Sequence, residues 1–127
     1  MAELDLPVET NVLSQSCVSR RALELVSDKW MALVLFALVG GPKRHADLLR
    51  MIEGVSQKML TQTLRTMHRR GFVDRRVLDP NPPQHVEYEL TPLGESLSDP
   101  LVALCRWAMD HAGELSLDTA EPASKSV

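Results

Sequence analysis

The sequence predicts a mainly α-helical fold with one small β-hairpin, which belongs to the α+β class. Apolar residues recur at helical spacing through most of the chain, and two short runs of strand-like alternation flank a proline-rich turn. With 127 residues, of which 44% are hydrophobic, the chain has enough material for one core and too little for two. We therefore predict one domain over 16–112, an arm at 1–15 and a flexible acidic tail at 113–127.

The charge of the chain is unevenly distributed, although the formal net charge of the whole is only −3. Between Lys43 and Arg76, nine lysines and arginines stand against three acids, whereas five stand against fourteen in the remainder. The distribution of charge bears on binding more than its sum does. A basic middle between acidic ends is typical of a protein with one surface that faces phosphates.

Three features predict a cytoplasmic protein without membrane spans. The start of the chain, MAELDLPVET, contains acids where a secretory signal has basic residues, and no apolar stretch follows. The longest apolar run, over 30–41, is well short of the roughly 20 residues that cross a bilayer. The two cysteines, Cys17 and Cys105, are too few for the disulfide framework of a secreted domain.

Two helices are expected before the basic region. In the first, from Cys17 to about Ser27, apolar and polar residues occupy opposite sides. Ser27 and Asp28 supply a break and an N-cap for the second helix, whose sequence KWMALVLFALV is apolar nearly all round. Such a helix is covered on several sides, so we expect it at the centre of the core. The Gly-Gly-Pro sequence at 40–42 ends it.

The basic region predicts two short helices joined by a tight turn. After a connector at 43–45, the sequence ADLLRMIE forms the first helix, and Gly54 and Val55 make the turn. Ser56 is a good N-cap for a second helix that extends to about Arg70. Two helices in this arrangement, with a cationic free face on the second, are typical of a helix-turn-helix.

The second of these helices has two distinct faces. Leu60, Leu64 and Met67 recur at the spacing of a buried stripe, with Met59 and Thr63 at its margin. The other face carries cations and amides but no acid, which indicates an anionic partner that we take to be double-stranded DNA. Its residues are Gln57, Lys58, Thr61, Gln62, Arg65, Arg69 and Arg70.

A β-hairpin is expected directly after this helix, which Gly71 ends. The sequence FVDRRVL alternates apolar and charged residues, the proline-rich segment at 79–83 must turn, and HVEYELT resumes the alternation. A hairpin in this position is the wing of a winged helix-turn-helix. Its basic and polar residues near the tip are placed to reach a minor groove or phosphates. They are Arg75, Arg76, Gln84 and His85.

The last predicted helix begins with Thr91 as N-cap and Pro92 at its first position. Pro100 is expected to kink or break it, with a second piece over 101–112 that Gly113 ends. That piece is apolar on more than one side, so it needs more cover than one small domain offers. We therefore expect this helix to form a subunit interface.

The chain resembles the HxlR-type winged helix-turn-helix transcriptional regulators, a MarR-like family. Four segments carry the resemblance in this order: CVSRRALELVSDKW, GPKRHADLLRMIEGVSQKMLTQTLRTM, GFVDRRV and PPQHVEYELTPLGESL. It extends from Cys17 to about Trp107 and implies a homodimeric bacterial regulator whose first and last helices form the dimer interface. It also implies a pseudopalindromic operator near its own or an adjacent promoter. We expect a repressor, with an activator as the alternative, since the sequence does not separate the two.

The chain departs from the family pattern at two places. Ser27 and Asp28 replace a frequent Gly-Gly, and His45 stands where members commonly have phenylalanine. We interpret His45 as a small local repacking. The alternative is that it brings a titratable group near DNA.

In a dimer, the second helix of each helix-turn-helix would enter the major groove, and the two helices would occupy successive major grooves about 34 Å apart. The helix amides near Ser56 suit a phosphate, and the side chains from Gln57 to Arg65 are placed to meet base edges or backbone. The alternatives are a solvated helix face and a winged-helix module that binds an acidic protein. The predicted DNA-binding residues are Ser56, Gln57, Lys58, Thr61, Gln62, Arg65, Arg69, Arg75, Arg76 and His85.

Cys17 is the candidate for regulation. It lies near the first turn of its helix with Arg20 and Arg21 close behind, and both the helix dipole and the cations stabilise a thiolate. The resemblance implies that a cysteine at this place senses electrophiles or oxidants, as in several members of the family. The alternative, that Cys17 is a small buried hydrophobe, stays open. For Cys105 we expect packing in the core.

Other chemistry finds little support in the sequence. The four histidines lack the paired spacing of a zinc site, and no nucleophile with a base and an orienting group stands out. We therefore expect no enzyme activity, metal or cofactor. A pocket for a non-covalent aromatic ligand is an alternative route to regulation, although core filling is the simpler interpretation of its candidate residues. These are Trp30, Met31, Phe36, Tyr88 and Trp107.

Overall fold

The structure is a computed structural model that describes residues 13–16 and 18–115. Most of the predicted arm and most of the predicted tail lie outside these residues. The fold is mainly helical with a two-stranded antiparallel sheet, which confirms the predicted class. Its elements are α1 (Val18–Val26), α2 (Lys29–Leu38), α3 (His45–Met51), α4 (Gln57–Arg69), β1 (Val73–Asp79), β2 (His85–Leu90), α5 (Pro92–Asp110) and α6 (Ala112–Leu115).

Helix α2 lies at the centre of the core, as its uniformly apolar sequence predicts. Val34 and Leu35 are fully buried, and α2 packs against the other long helices and β2. Leu60, Leu64 and Met67 of α4 complete the core, so the predicted buried stripe is confirmed. Because full burial of one such side chain contributes about 1.5–3 kcal/mol, this stripe fixes the orientation of α4 and of its opposite face.

The three predicted N-caps are confirmed. Asp28, Ser56 and Thr91 each accept a side-chain hydrogen bond from the backbone N–H three residues later, at 3.2, 3.0 and 3.1 Å respectively. Each such cap contributes about 1 kcal/mol. At its other end α4 stops at Arg69, and Gly71 follows with a φ of 85°, a left-handed conformation that glycine adopts at little cost.

Helix α3 differs from the prediction at both ends. It runs from His45 to Met51, whereas the sequence indicated 46–53. The shift at the start has a local cause, since the backbone N–H of Arg44 donates to Asp47 Oδ2 at 3.2 Å and this bond caps the helix before His45. As a result, His45 belongs to α3 rather than to the connector.

The wing is the antiparallel hairpin of β1 and β2, in which Val73 lies opposite Leu90. The connector at 43–45 takes part in it, which the sequence did not predict. Lys43 N donates to Tyr88 O at 2.9 Å, and Tyr88 N donates to Lys43 O at 2.8 Å. This one-residue bridge ties the wing to the segment that leads into α3.

A close backbone approach joins the base of the wing to α5. Thr91 N donates to Phe72 O at 3.0 Å, and Thr91 Oγ1 donates to Gly71 O at 2.6 Å. Gly94 is buried at the same junction, and a Cβ atom there would lie 2.2 Å from Phe72 O. Only glycine leaves room for this contact, so Gly94 sets how closely α5 approaches the wing.

Of the kink or break predicted at Pro100, the break is wrong, because α5 is continuous across this residue. Proline removes one backbone hydrogen bond from a helix. However, Leu101 is buried in the core and Leu97 packs against it, and this burial holds the helix together on both sides of Pro100. Gly113 does not end the helix either: His111 is the C-cap of α5, and Gly113 lies inside the short α6.

Candidate nucleic-acid interface

The free face of α4 forms an open groove on the surface of the protein. The groove has a volume of about 550 Å³, and five polar or cationic side chains line it without any acid among them. All five belong to the predicted DNA-binding set, so the structure brings them together on one surface. Their contact with DNA stays a prediction. They are Gln57, Lys58, Thr61, Gln62 and Arg65.

The cations of α4 are exposed and carry uncompensated charge. Within 13–16 and 18–115, no salt bridge involves Lys58, Arg65 or Arg69. By contrast, Arg50 on the neighbouring α3 is paired with Asp47. Clustered charges of one sign without partners raise the local potential and attract an ion of opposite charge.

The start of α4 offers hydrogen-bond donors that also suit an anionic partner. Ser56 is exposed, and its hydroxyl oxygen accepts from Met59 N at 3.0 Å, which leaves the O–H free to donate. The backbone N–H groups of Gln57 and Lys58 have no acceptor within the helix, as is general for a first turn. Donors at a helix N-terminus suit a phosphate group.

His45 lies directly beside this groove. Its Nε2 atom is 3.1 Å from Thr61 Oγ1, and both side chains are partly buried. No local pattern of the sequence relates the two residues, because a contact across sixteen positions leaves no periodic signal. The structure therefore joins α3 to the predicted DNA-facing side of α4 through a polar contact.

The two wing arginines point to opposite sides of the hairpin, because neighbouring residues of a strand alternate. Arg75 lies opposite Tyr88, on the face that packs toward the core at the base of the wing. Arg76 lies on the other face, where its Nη1 donates to Glu89 Oε2 at 3.1 Å. Adjacent positions in the sequence thus do not give one joint cationic surface.

His85 begins β2, and its Nε2 atom is buried. That atom is 3.5 Å from Glu87 Oε2, yet it makes no hydrogen bond with any described residue. The nitrogen is turned into the wing rather than toward solvent. His85 therefore offers a nucleic acid less than the exposed cations of α4 do.

The structure describes only one of the two cysteines. Cys17 lies outside the described residues, so its predicted role stays a prediction. Cys105 is a free, exposed thiol, and its predicted packing in the core is wrong for this chain. The reason is the reach of α5, which is exposed throughout 102–107 because it projects past the core after Leu101.

The helices near both ends of the chain expose large apolar side chains. On α1, Val18 and Leu23 are 80% and 58% exposed. On α5, Leu104, Trp107 and Met109 are 51%, 49% and 71% exposed. Exposed apolar area of this kind is typical of a surface that another chain covers.

The predicted residues of an aromatic-ligand pocket are not brought together. Met31 is buried in the core, whereas Trp107 is exposed on α5. Phe36 lines a largely apolar cleft of about 460 Å³ between α2 and the end of α3, together with Leu33 and Met51 among others. The predicted residues therefore do not line one common pocket.

Two other features are absent from the part of the chain that the structure describes. There, no group of three or more histidine, cysteine, aspartate or glutamate side chains has a geometry that would hold a metal ion. No helix in that part has the length and apolar character that crossing a membrane requires.

Comparisons with known proteins match these features of the chain. The family described as HxlR-like helix-turn-helix matches residues 25–116. The chain is similar to the uncharacterized HTH-type transcriptional regulator YtfH of Escherichia coli (strain K12), with 46% identity over 99 residues, which cover 78% of each chain.

Two solved structures show the same fold. The ytfH protein from Salmonella typhimurium is 40% identical with a TM-score of 0.73, over 89% of this chain and 100% of that chain. The redox regulator HypR in its reduced form is 28% identical with a TM-score of 0.72, over 77% of this chain and 96% of that chain. These similarities confirm the predicted winged helix-turn-helix.

Proposed function

The chain belongs to the HxlR-like helix-turn-helix family and is a transcriptional regulator of that class, and we propose that it binds a pseudopalindromic DNA operator as a homodimer and represses transcription. The observation that carries the proposal is the groove on α4, which is lined by cations, amides and a hydroxyl but by no acid. The proposed partner is double-stranded DNA, and the proposed location is the cytoplasm.

The polar side chains along α4 support two kinds of DNA contact, one with base edges and one with phosphates near the ends of the helix. The major groove of B-DNA admits an α-helix, and glutamine and arginine pair well with adenine and guanine edges there. Gln57, Gln62 and Arg65 have this chemistry. Ser56 and Arg69 stand nearer the two ends of the helix, where contacts with phosphates hold the register. In the wing, Arg75, Arg76 and His85 serve as secondary contacts.

The exposed apolar residues of α1 and α5 support the homodimer. A closed two-fold interface would cover both helices, and it would direct two copies of α4 toward the same side of a duplex. Half-sites about 34 Å apart, one turn of DNA, then follow from the geometry of two helices in successive major grooves. A pseudopalindromic operator is the sequence counterpart of that symmetry.

Retention of the protein's own upstream DNA tests the proposal. At low salt, we expect the purified protein to retard the duplex from its upstream intergenic region more strongly than an unrelated duplex of equal length. Because phosphate contacts release counterions, log affinity should fall linearly with log salt concentration. Equal binding to both duplexes would contradict an operator. Retention of neither would favour the winged-helix module that binds an acidic protein.

We also propose that oxidants or electrophiles release the operator by modifying Cys17. Two observations support this role. Cys17 directly precedes α1 and has Arg20 and Arg21 in the following turn, which favours thiolate. One similar structure is that of a redox regulator. A change next to α1 would act on the proposed dimer interface rather than on α4.

A pair of matched variants tests the sensing role. Cys17→Ser should abolish any response of operator binding to diamide or a quinone, whereas Cys105→Ser should leave that response as in the wild type. Binding without oxidant serves as the control and should be similar in all three proteins. An oxidant response that survives Cys17→Ser would exclude Cys17 as the sensor.

A further inference from the structure

The contact between His45 and Thr61 is the feature of the groove that the proposed function leaves unused. It joins the first residue of α3 to the middle of α4, with Nε2 and Oγ1 3.1 Å apart. We propose that His45 is a positioning residue for DNA recognition, which fixes the Thr61 hydroxyl and so sets the base preference of the groove. This inference rests on the proposed function, since it concerns the same surface.

The position of His45 is itself fixed from two sides. On one side, Lys43 forms two backbone hydrogen bonds with Tyr88 of the wing, at 2.9 and 2.8 Å. On the other, Asp47 caps α3 by accepting from Arg44 N at 3.2 Å. The backbone that carries the imidazole is therefore held by the wing and by α3 before any DNA is bound.

Thr61 is a residue whose hydroxyl direction can be set by a neighbouring side chain such as that of His45. A threonine inside a helix commonly turns its hydroxyl back to the carbonyl one turn earlier. In the described chain, the hydrogen bond of this side chain is instead the one to His45. Thr61 also lines the groove between Lys58 and Arg65, so its side chain borders the volume that DNA would occupy.

The chemistry of the pair explains how one residue sets the preference of another. A free hydroxyl has one donor and two acceptor positions and rotates to suit either kind of partner. Once one position is used by the imidazole, the rest have fixed directions. If Thr61 donates to Nε2, only its acceptor positions remain, and these suit an amino group of adenine or cytosine. If it accepts from Nε2–H, it keeps its donor and one acceptor position, in directions that the imidazole sets. The first arrangement removes the donor, and the second fixes the directions of the remaining donor and acceptor, so either tautomer restricts a hydroxyl that would otherwise rotate freely.

Two bond-breaking variants and one conservative variant test this inference. His45→Phe keeps a ring and removes the nitrogen, Thr61→Val keeps the shape and removes the hydroxyl, and His45→Gln carries a polar group at nearly the distance of Nε2. Affinities are measured for the operator and for duplexes with each base pair replaced in turn, at one salt concentration. Circular dichroism checks that each variant is folded.

The expected pattern is a local loss of discrimination. The wild type should prefer one base pair in each half-site by about tenfold, a factor in the range of one well-made contact. His45→Phe and Thr61→Val should each reduce the preference at that same pair to about twofold. The double variant should lose no more than either single one, and His45→Gln should retain most of the preference. The preference at every other base pair should not change.

Other results would contradict either the role of His45 or the proposed operator binding. If His45→Phe keeps the preference that Thr61→Val loses, or weakens binding equally for every sequence, His45 is not a positioning residue. If His45→Phe does not fold, the shorter His45→Asn replaces it as the bond-breaking variant, with the same expected loss. If the wild type itself shows no sequence preference, the proposed operator binding fails, and the inference fails with it.

Discussion

Helix α4 and the wing carry the same kind of cation, but they differ in how free its charge is. On α4, the helical repeat gathers Lys58, Arg65 and Arg69 on a face that contains no acid, and none of them has a salt-bridge partner in the described residues. In the wing, alternation separates Arg75 from Arg76 and brings Arg76 to Glu89. The repeat of the secondary structure, rather than the number of arginines, therefore determines how much unpaired positive charge each surface presents to a partner.

The two regions also differ in what holds them in place. Four buried side chains of α4 fix its face against the core. The base of the wing instead depends on a backbone approach between Phe72 and Gly94, at a distance that leaves no space for a methyl group. A single added carbon should therefore displace the base of the wing, whereas the buried side chains of α4 keep their contacts with the core.

The largest effect is expected from Gly94→Ala. The added Cβ would lie 2.2 Å from Phe72 O, so backbone must move, and we expect the free energy of unfolding to fall by about 3 kcal/mol. Urea denaturation measures this change. Gly113→Ala is the matched control, since a Cβ there meets nothing within 4 Å and should not destabilise the protein. Equal stability of Gly94→Ala and the wild type would contradict the tight junction.

The next effect compares one arginine from each region. Arg65→Ala should weaken operator binding by about 1–3 kcal/mol, as expected for an arginine that contacts DNA. Arg76→Ala should cost less than about 0.5 kcal/mol, because Glu89 already holds its guanidinium. Fluorescence anisotropy with a labelled operator measures both. If Arg76→Ala costs as much as Arg65→Ala, the wing contributes directly and the contrast between the two regions does not hold.

The smallest effect is expected from Glu89→Gln. This change removes an acid from the wing and releases Arg76, so operator affinity should rise by about 0.5 kcal/mol, within the range of exposed ion pairs. The free energy of unfolding should change by less than about 1 kcal/mol for the same reason. Adding Arg76→Ala to Glu89→Gln should then remove the gain. A gain that persists without Arg76 would indicate that the acid alone, and not the released arginine, matters.

Much of the fold was predictable because its signals are local. Asp28, Ser56 and Thr91 start their helices through bonds to residues three positions away, and the buried stripe of α4 follows from spacing alone. The acid-free face that lines the groove is predictable for the same reason. Each of these features depends on residues that are only a few positions apart, so a short stretch of sequence is enough to predict it.

The remaining features depend on contacts between distant positions. The bridge from Lys43 to Tyr88, the contact from His45 to Thr61 and the pair of Arg76 with Glu89 join elements that no periodic pattern relates. The continuity of α5 has the same origin, because burial of Leu101 in the core outweighs the local preference of Pro100. Local rules gave the wrong answer there because tertiary packing contributes more than one backbone hydrogen bond.

A titration of the ¹⁵N-labelled protein with the operator duplex tests the central claim most directly, since amide resonances report which surface meets the DNA. We expect the largest shifts at the exposed positions of Gln57–Arg69, with smaller ones in the wing and little change on α5. Shifts concentrated on α1 and α5 with none on α4, or no shifts at all, would contradict the role of the α4 groove.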